Sequence, residues 1–210
     1  PDPVGLDTYR QIADVIRQAN LAWVRVDLDW GRVIAVEPWK RDTARIDWSV
    51  VDTTMNRALC RGLNVYATIG YTPPWAAARL TGVPDGDRWP YTPDDLRDWE
   101  AIVRAAVTRY PEVRYWGVWN EPNEPGFFLG DGHERTSVAR IPAYLRLLEA
   151  AAPHIRGDVD GRGPRYLVAP QVSGAWNSDQ WVREVLAASG RNVDVVAINK
   201  YGSAAAVAQE

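Results

Sequence analysis

The sequence predicts an α/β fold of the (β/α)8 TIM-barrel kind. Helix and strand patterns alternate along the chain, no strand is followed by a glycine pattern for gripping a nucleotide, and the chemically unusual residues gather at strand ends. Such alternation requires parallel strands joined by right-handed crossovers, which leaves a barrel or an open doubly wound sheet. The missing dinucleotide and phosphate-loop glycines count against the nucleotide-binding open sheets. Asp29-Trp30, Tyr71 to Trp75, Asn120-Glu121, Gln171 and Asn199 to Tyr201 all fall at or just past predicted strand ends. In a barrel those ends form one rim, and active sites sit there.

The elements follow in order. Leu6, Tyr9, Ile12 and Ile16 keep helical spacing from about Leu6 to Gln18, and Val24, Val26 and Leu28 then alternate with Arg25, Asp27 and Asp29 as a strand over Trp23 to Trp30. Asp47 can cap a helix running through Cys60, with Val50, Val51, Met55, Ala58 and Leu59 on one side and Gly62 after its end. Asn64 to Ile69 is the second strand. Thr92-Pro93-Asp94-Asp95 opens a helix whose apolar stripe is Leu96, Trp99, Ile102, Val103, Ala106 and Val107, and Arg114 to Trp119 is the third strand. A helix from about Ile141 to Ile155, a strand at Tyr166 to Ala169, a helix from Ser178 to Ala188 and a strand at Val193 to Ile198 complete the count. Leu80 to Pro93, rich in Gly, Pro and Asp, reads as a long rim loop that either carries binding contacts or is a solvated excursion. No linker or charge run marks a second domain, so residues 1–210 are expected to form one domain.

Composition narrows the partners. With 46% hydrophobic and 24% charged residues the chain can build a sizeable core, and disorder is not expected. A formal net charge of -3 supplies no basic field for a polyanion, so nucleic acid is not an expected partner and a neutral substrate fits better. No apolar run approaches membrane-spanning length. Cys60 is the single cysteine, which allows no intrachain disulfide, and its helical context suggests a small buried hydrophobe. His133 and His154 lack companions at metal-ligand spacing, so no metal or other cofactor is expected. Neither redox compartment nor localisation follows from these features. Eleven Trp and nine Tyr against two Phe favour rings with an apolar face and one donor, which suit stacking on sugars but also fill cores.

The most specific segment is Val113 to Asn123, where an aromatic strand ends in Asn120-Glu121 and Pro122, lacking an N–H, stops the ladder. Trp119-Asn120-Glu121-Pro122 resembles the fourth-strand motif of clan A retaining glycoside hydrolases, and the chain is most similar to family 39 and its bacterial relatives. Trp23 to Asp27 with Trp30, Ile46-Asp47-Trp48 with Val51-Asp52, Tyr71 to Ala76, Arg109-Tyr110-Pro111 and Lys200-Tyr201-Gly202 fall in the order that family uses. The resemblance implies that the strands are the second to the sixth of a barrel and that Glu121 is the acid/base, protonating the glycosidic oxygen and later deprotonating water. It implies a carbohydrate substrate with β linkages, a sugar 2-hydroxyl held by Asn120, and a strand-seven nucleophile flanked by Arg25 and Tyr201. The two carboxylates of such a site stand roughly 5 to 5.5 Å apart. Asn199 is a further substrate contact in this pattern, although Asn199-Lys200-Tyr201 stands where the clan often presents His-x-Tyr.

Other readings stay open at this point. Glu124 repeats the Glu-Pro context but lies in the loop beyond Pro122. Arg25 can be an ion-pair partner of Asp27 or Glu121. Trp30, Trp75 and Trp176 can stack on sugars or pack, whereas Trp23, Trp48, Trp99 and Trp181 read as core. A complete barrel needs about 250 residues. The chain opens Pro1-Asp2-Pro3, without an initiator Met, and the expectation is an incomplete barrel of about five βα units without strands one, seven and eight. Self-association or a complementary chain would then complete the sheet. The competing functions are a noncatalytic carbohydrate-binding or assembly protein of the same fold, and a transglycosylase using the same two carboxylates.

Overall fold

A computed structural model describes residues 18–33, 46–77, 79–132, 136–157, 163–174 and 177–200, together with Val15 and Gly161. The strands are β1 (Trp23–Asp29), β2 (Asn64–Gly70), β3 (Tyr115–Val118), β4 (Tyr166–Ser173) and β5 (Val195–Asn199). They form one sheet in the order β1-β2-β3-β4-β5, and every pairing is parallel. This is the order and direction the sequence predicts.

The helices between them are α1 (Trp30–Val33), α2 (Ser49–Leu59), α3 (Leu96–Arg109), α4 (Ile141–Ile155) and α5 (Ser178–Ser189). Each longer helix turns one stripe inward: Val51, Met55 and Ala58 of α2, Trp99, Ile102, Val103 and Ala106 of α3, Tyr144, Leu147, Leu148 and Ala151 of α4, and Trp181 and Val185 of α5. These stripes join alternate strand residues, including Val26, Leu28, Ala67, Ile69, Trp116 and Leu167, in one apolar cluster. The core therefore lies between the sheet's outer face and the helices. Within it Trp99 Nε1 donates to the Leu147 carbonyl at 2.9 Å and the Tyr144 hydroxyl to the Val118 carbonyl at 3.0 Å, whereas Trp30 Nε1 is buried without a hydrogen-bond partner.

The opposite face of the sheet carries Trp23, Arg25 and Asp27 of β1, Asn64, Tyr66 and Thr68 of β2, and Tyr115 and Gly117 of β3. In a closed barrel this face would be the interior. In β4 the register slips between Val168 and Gln171, so one extra residue resets the alternation. Gln171 and Ser173 consequently share the inner face, while Leu167, Ala169 and Val172 are buried on the other.

Where α2 begins and α3 ends, Arg109 grips Asp52 through Nε at 2.8 Å and Nη2 at 2.5 Å, the Tyr110 hydroxyl donates to Asp52 at 2.9 Å, and the guanidinium lies 5.4 Å from the Trp48 ring centroid. The segments Trp48 to Asp52 and Arg109-Tyr110 are thus a clasp between α2 and α3. The Arg109 hydrogen bonds hold the Asp52 carboxyl below its usual range against the opposing effect of burial.

Several expectations need correction. Cys60 is exposed, because it follows the last turn of α2 half a helical circumference away from Val51. Val50 is 55% exposed and leaves the buried stripe. Trp23 is 49% exposed on the inner face, edge-on to Tyr115 at 4.9 Å, and is not core, whereas Trp48, Trp99 and Trp181 are buried. The cap of α3 is Asp95, whose side chain accepts from Arg97 N, so Thr92 and Pro93 precede the helix. The loop from Leu80 to Pro93 is pinned by Arg88, which donates to Val83 O at 3.1 Å and Leu80 O at 3.3 Å and pairs with Asp85 at 3.0 Å. The predicted helix from Leu6 to Gln18 lies largely outside the described residues; Val15 and Gln18 are helical.

Candidate active site

The end of β3 forms a corner rather than a simple strand exit. Trp119 and Glu121 both take positive φ, 62° and 46°, on either side of Asn120. Neighbouring atoms hold each: Trp119 N donates to Ile69 O at 2.8 Å and its indole to Phe127 O at 2.7 Å, while Glu121 N donates to Gln171 O at 2.9 Å. Pro122 sits at the second position of a turn closed by Glu124 N donating to Glu121 O at 2.9 Å, where its fixed φ is favourable. The corner turns Asn120 and Glu121 onto the inner side of the rim, 7% and 5% exposed.

Asn120 Oδ1 receives Arg25 Nη1 at 3.2 Å, Gln171 Nε2 at 2.8 Å and Asn199 Nδ2 at 3.0 Å. Asn199 Nδ2 also donates to Glu121 Oε1 at 2.9 Å, and Asn199 Oδ1 lies 3.4 Å from Arg25 Nη1. Four strands thus deliver one network: β1 gives Arg25, the end of β3 Asn120 and Glu121, β4 Gln171, and β5 Asn199. Arg25 is at once a structural and a site residue, since Nη2 pairs with Asp27 at 2.9 Å.

A groove of about 450 Å³ opens on this network, lined by Glu121, Glu124, Phe127, Ser173, Asn199 and Lys200 among others. Glu124 is the second carboxylate in that lining, and Ser173 Oγ donates to it at 2.5 Å. Asn123 braces the same wall, donating to Ser173 Oγ at 2.9 Å and to Asn177 Oδ1 at 3.2 Å. Burial pushes the Tyr71 phenol up to about 12, opposed by a hydrogen bond from Asn120. Tyr66 is likewise raised to about 12 by burial. Both remain neutral hydroxyls at neutral pH.

Arg25, Asn120, Glu121 and Asn199 are brought together as the sequence suggests. Trp30 is not a platform: it is fully buried, 5.8 Å from Trp75 and 6.1 Å from Trp99, and therefore belongs to the core. Trp75 is half-buried in the 3-10 turn Pro74–Ala77, edge-on to Trp30. Tyr201, Trp176 and His133 lie outside the described residues, and His154 sits in the last turn of α4. Among the described residues no group of three or more His, Cys, Asp or Glu could hold a metal, and no helix is long and apolar enough to cross a membrane.

Sequence reasoning placed Gln171 at the rim without a role and passed over Tyr66 and Thr68, whose hydroxyls donate to Gln171 Oε1, the latter at 3.0 Å. The available signal was their alternation: Asn64, Tyr66 and Thr68, spaced by two between apolar residues, share the inner face of the strand.

No protein-family model matches the chain, and no curated protein matches it. Solved structures do. A monomeric β-xylosidase from Caulobacter crescentus CB15 aligns over 93% of this chain and 39% of its own, with 22% identity and a TM-score of 0.62. The GH39 enzyme from Xanthomonas axonopodis pv. citri aligns over 93% of this chain and 38% of its own, with 23% identity and a TM-score of 0.64. A GH1 β-glucosidase from the fungus Humicola insolens aligns over 81% and 38%, with 16% identity and a TM-score of 0.56. The chain spans about two fifths of the length of the first two structures. What is shared at these identities is the fold: five consecutive parallel strands of a (β/α)8 barrel with the helices between them.

Proposed function

We propose that this chain carries the acid/base half of a retaining glycosidase that acts on β-linked glycosides or polysaccharides. The observation that carries the reading is the Asn120-Glu121 corner, a carboxylate held at the rim of a parallel barrel arc and facing an open groove beside a ring of amide and guanidinium donors. Such a carboxylate is placed to protonate a leaving oxygen from within the groove and then to take a proton from incoming water. Asn120 hydrogen-bonds the sugar 2-hydroxyl, a contact that strengthens as positive charge grows at the anomeric carbon. Arg25 and Tyr201 align and keep ionised the attacking glutamate, which belongs to a later strand than the five described here. Xylosidases and a β-glucosidase among the structural neighbours support pentose or hexose β-glycosides as the first substrates to try.

Among the described residues β1 and β5 each pair with one neighbour, and the further strands of a barrel would cover those edges. In this reading the five described strands supply protonation, and a further strand supplies the attacking glutamate. The test is hydrolysis of aryl and alkyl β-xylosides and β-glucosides by the full product of the gene, with NMR of the first sugar released. Retention at the anomeric carbon and a loss of about 10²- to 10⁴-fold in Glu121→Gln on alkyl glycosides are the expected results. Unchanged turnover in that variant removes Glu121 from the mechanism, and sugar binding without turnover by the full product favours the noncatalytic alternative.

A further inference from the structure

We propose that Gln171 is a positioning residue that sets which way the Asn120 side-chain amide faces. Asn120 Oδ1 is met by three donors, from Arg25, Gln171 and Asn199, whereas a carbonyl oxygen has two lone pairs, so its accepting capacity is fully taken. The Asn120 NH2 is then turned away from those three donors, and Asn120 acts on the Tyr71 phenol against the effect of burial.

The polarity of the chain of bonds is fixed from the Arg25 end. Arg25 can only donate, so the oxygen of Asn120 faces it. On the far side the hydroxyls of Tyr66 and Thr68 occupy Gln171 Oε1, which leaves Gln171 Nε2 for Asn120 at 2.8 Å and Asn199 Oδ1 at 3.3 Å. Reversing Gln171 would set its oxygen against the oxygen of Asn120. The side chain that prevents this is completely buried, is aimed inward by the register slip in β4, and is reached by Tyr66 across the side-chain-free position Gly117.

Gln171 also touches Glu121, but through its backbone carbonyl, which accepts the Glu121 N–H at 2.9 Å. A substitution at position 171 therefore spares that contact while removing the side-chain bonds to Asn120, Asn199, Tyr66 and Thr68. The consequence for sugar rests on the glycosidase reading: only with its NH2 outward can Asn120 donate to a 2-hydroxyl while its oxygen stays on Arg25.

The experiment has a ligand-free arm and a sugar arm, both on the 210-residue chain. In the first, the Asn120 side-chain NH2 resonances are assigned by their loss in Asn120→Asp, and their NOEs to the Tyr71 ring are measured in the parent, Gln171→Glu and Gln171→Met. The expected result is clear NOEs in the parent and their loss in Gln171→Glu, whose carboxylate accepts the NH2 and turns the amide, with partial loss in Gln171→Met. Absence of those NOEs in the parent, or NOEs unchanged in both folded variants, overturns the inference. The parent measurement stands even where a variant does not fold.

In the second arm methyl β-D-glucopyranoside and its 2-deoxy analogue are titrated by NMR. A preference of about tenfold for the 2-hydroxy sugar in the parent should fall to about one in Gln171→Met, with 2-deoxy binding nearly constant. A general structural defect would weaken both sugars alike and overturn the inference, as would a preserved preference. Loss of the NOEs in Gln171→Glu with no sugar binding by the parent supports the positioning role and counts against the glycosidase reading instead.

Discussion

Adding one methyl group at Gly117 is expected to destabilise the fold well beyond the usual cost of a surface change. A Cβ there would stand 2.5 Å from the Tyr66 hydroxyl oxygen, 2.9 Å from Cε2 and 3.0 Å from Cζ. Tyr66 lies across that position to reach Gln171, so it must either swing away and lose the hydrogen bond or push β3 aside. Forcing a methylene into a packed site costs about 1–3 kcal/mol, and losing one intramolecular hydrogen bond about 0.5–1.5 kcal/mol. Gly117→Ala is therefore expected to lose about 1.5–4.5 kcal/mol, or about 3–18 °C in Tm for a domain of this size. Urea unfolding followed by tryptophan fluorescence would measure it. The clash also predicts non-additivity: in a Tyr66→Phe background, which lacks the atom in closest contact, Gly117→Ala should cost less than it does alone. A loss below about 0.5 kcal/mol, or full additivity with Tyr66→Phe, would refute the account of Tyr66 resting over Gly117.

Two pH effects follow from the clasp and the buried phenols. Because Arg109 depresses the Asp52 pKa in the folded chain, the pair contributes stability above the ordinary carboxylate range and loses it as pH falls through the folded value. The stability gap between the parent and Asp52→Asn should thus shrink as pH is lowered below about 4. Both partners are partly exposed, so the gap at neutral pH should be about 1 kcal/mol or less. Tyr66 and Tyr71, raised to about 12 by burial, hold protons that the unfolded chain gives up near pH 10. Stability should fall between about pH 10 and 12, and Tyr66→Phe should flatten that decline; an equally steep decline in the variant would remove Tyr66 as a contributor.

The strands were legible wherever burial imposed a simple alternation. β1 stops one residue short of the expected Trp30 and β2 runs one residue beyond the expected Ile69, a close match because one face is apolar and one polar throughout. β4 runs to Ser173 rather than Ala169, since a slipped register hides the continuing alternation from a period-two reading. Glu121 and Asn120 could be found because Pro122 marks where the strand must stop. Gln171 could not be assigned, because its meaning comes from residues 51 and 105 positions away that only the folded sheet brings within reach. Trp23 misled for a related reason: it is apolar in character, but its position in β1 turns it to the face that a closed barrel would bury.

The corner at β3 sets two demands in opposition. A side chain with positive φ pays roughly 1–2 kcal/mol against its own chirality, and Trp119 and Glu121 both do so, one residue apart. Glycine would relax either position at once, so a selection for thermal tolerance alone would drift toward it and erase the carboxylate. Stabilising designs on this scaffold should leave residues 119 to 121 untouched and draw their gains from the helices, where several N-termini lack a side-chain cap.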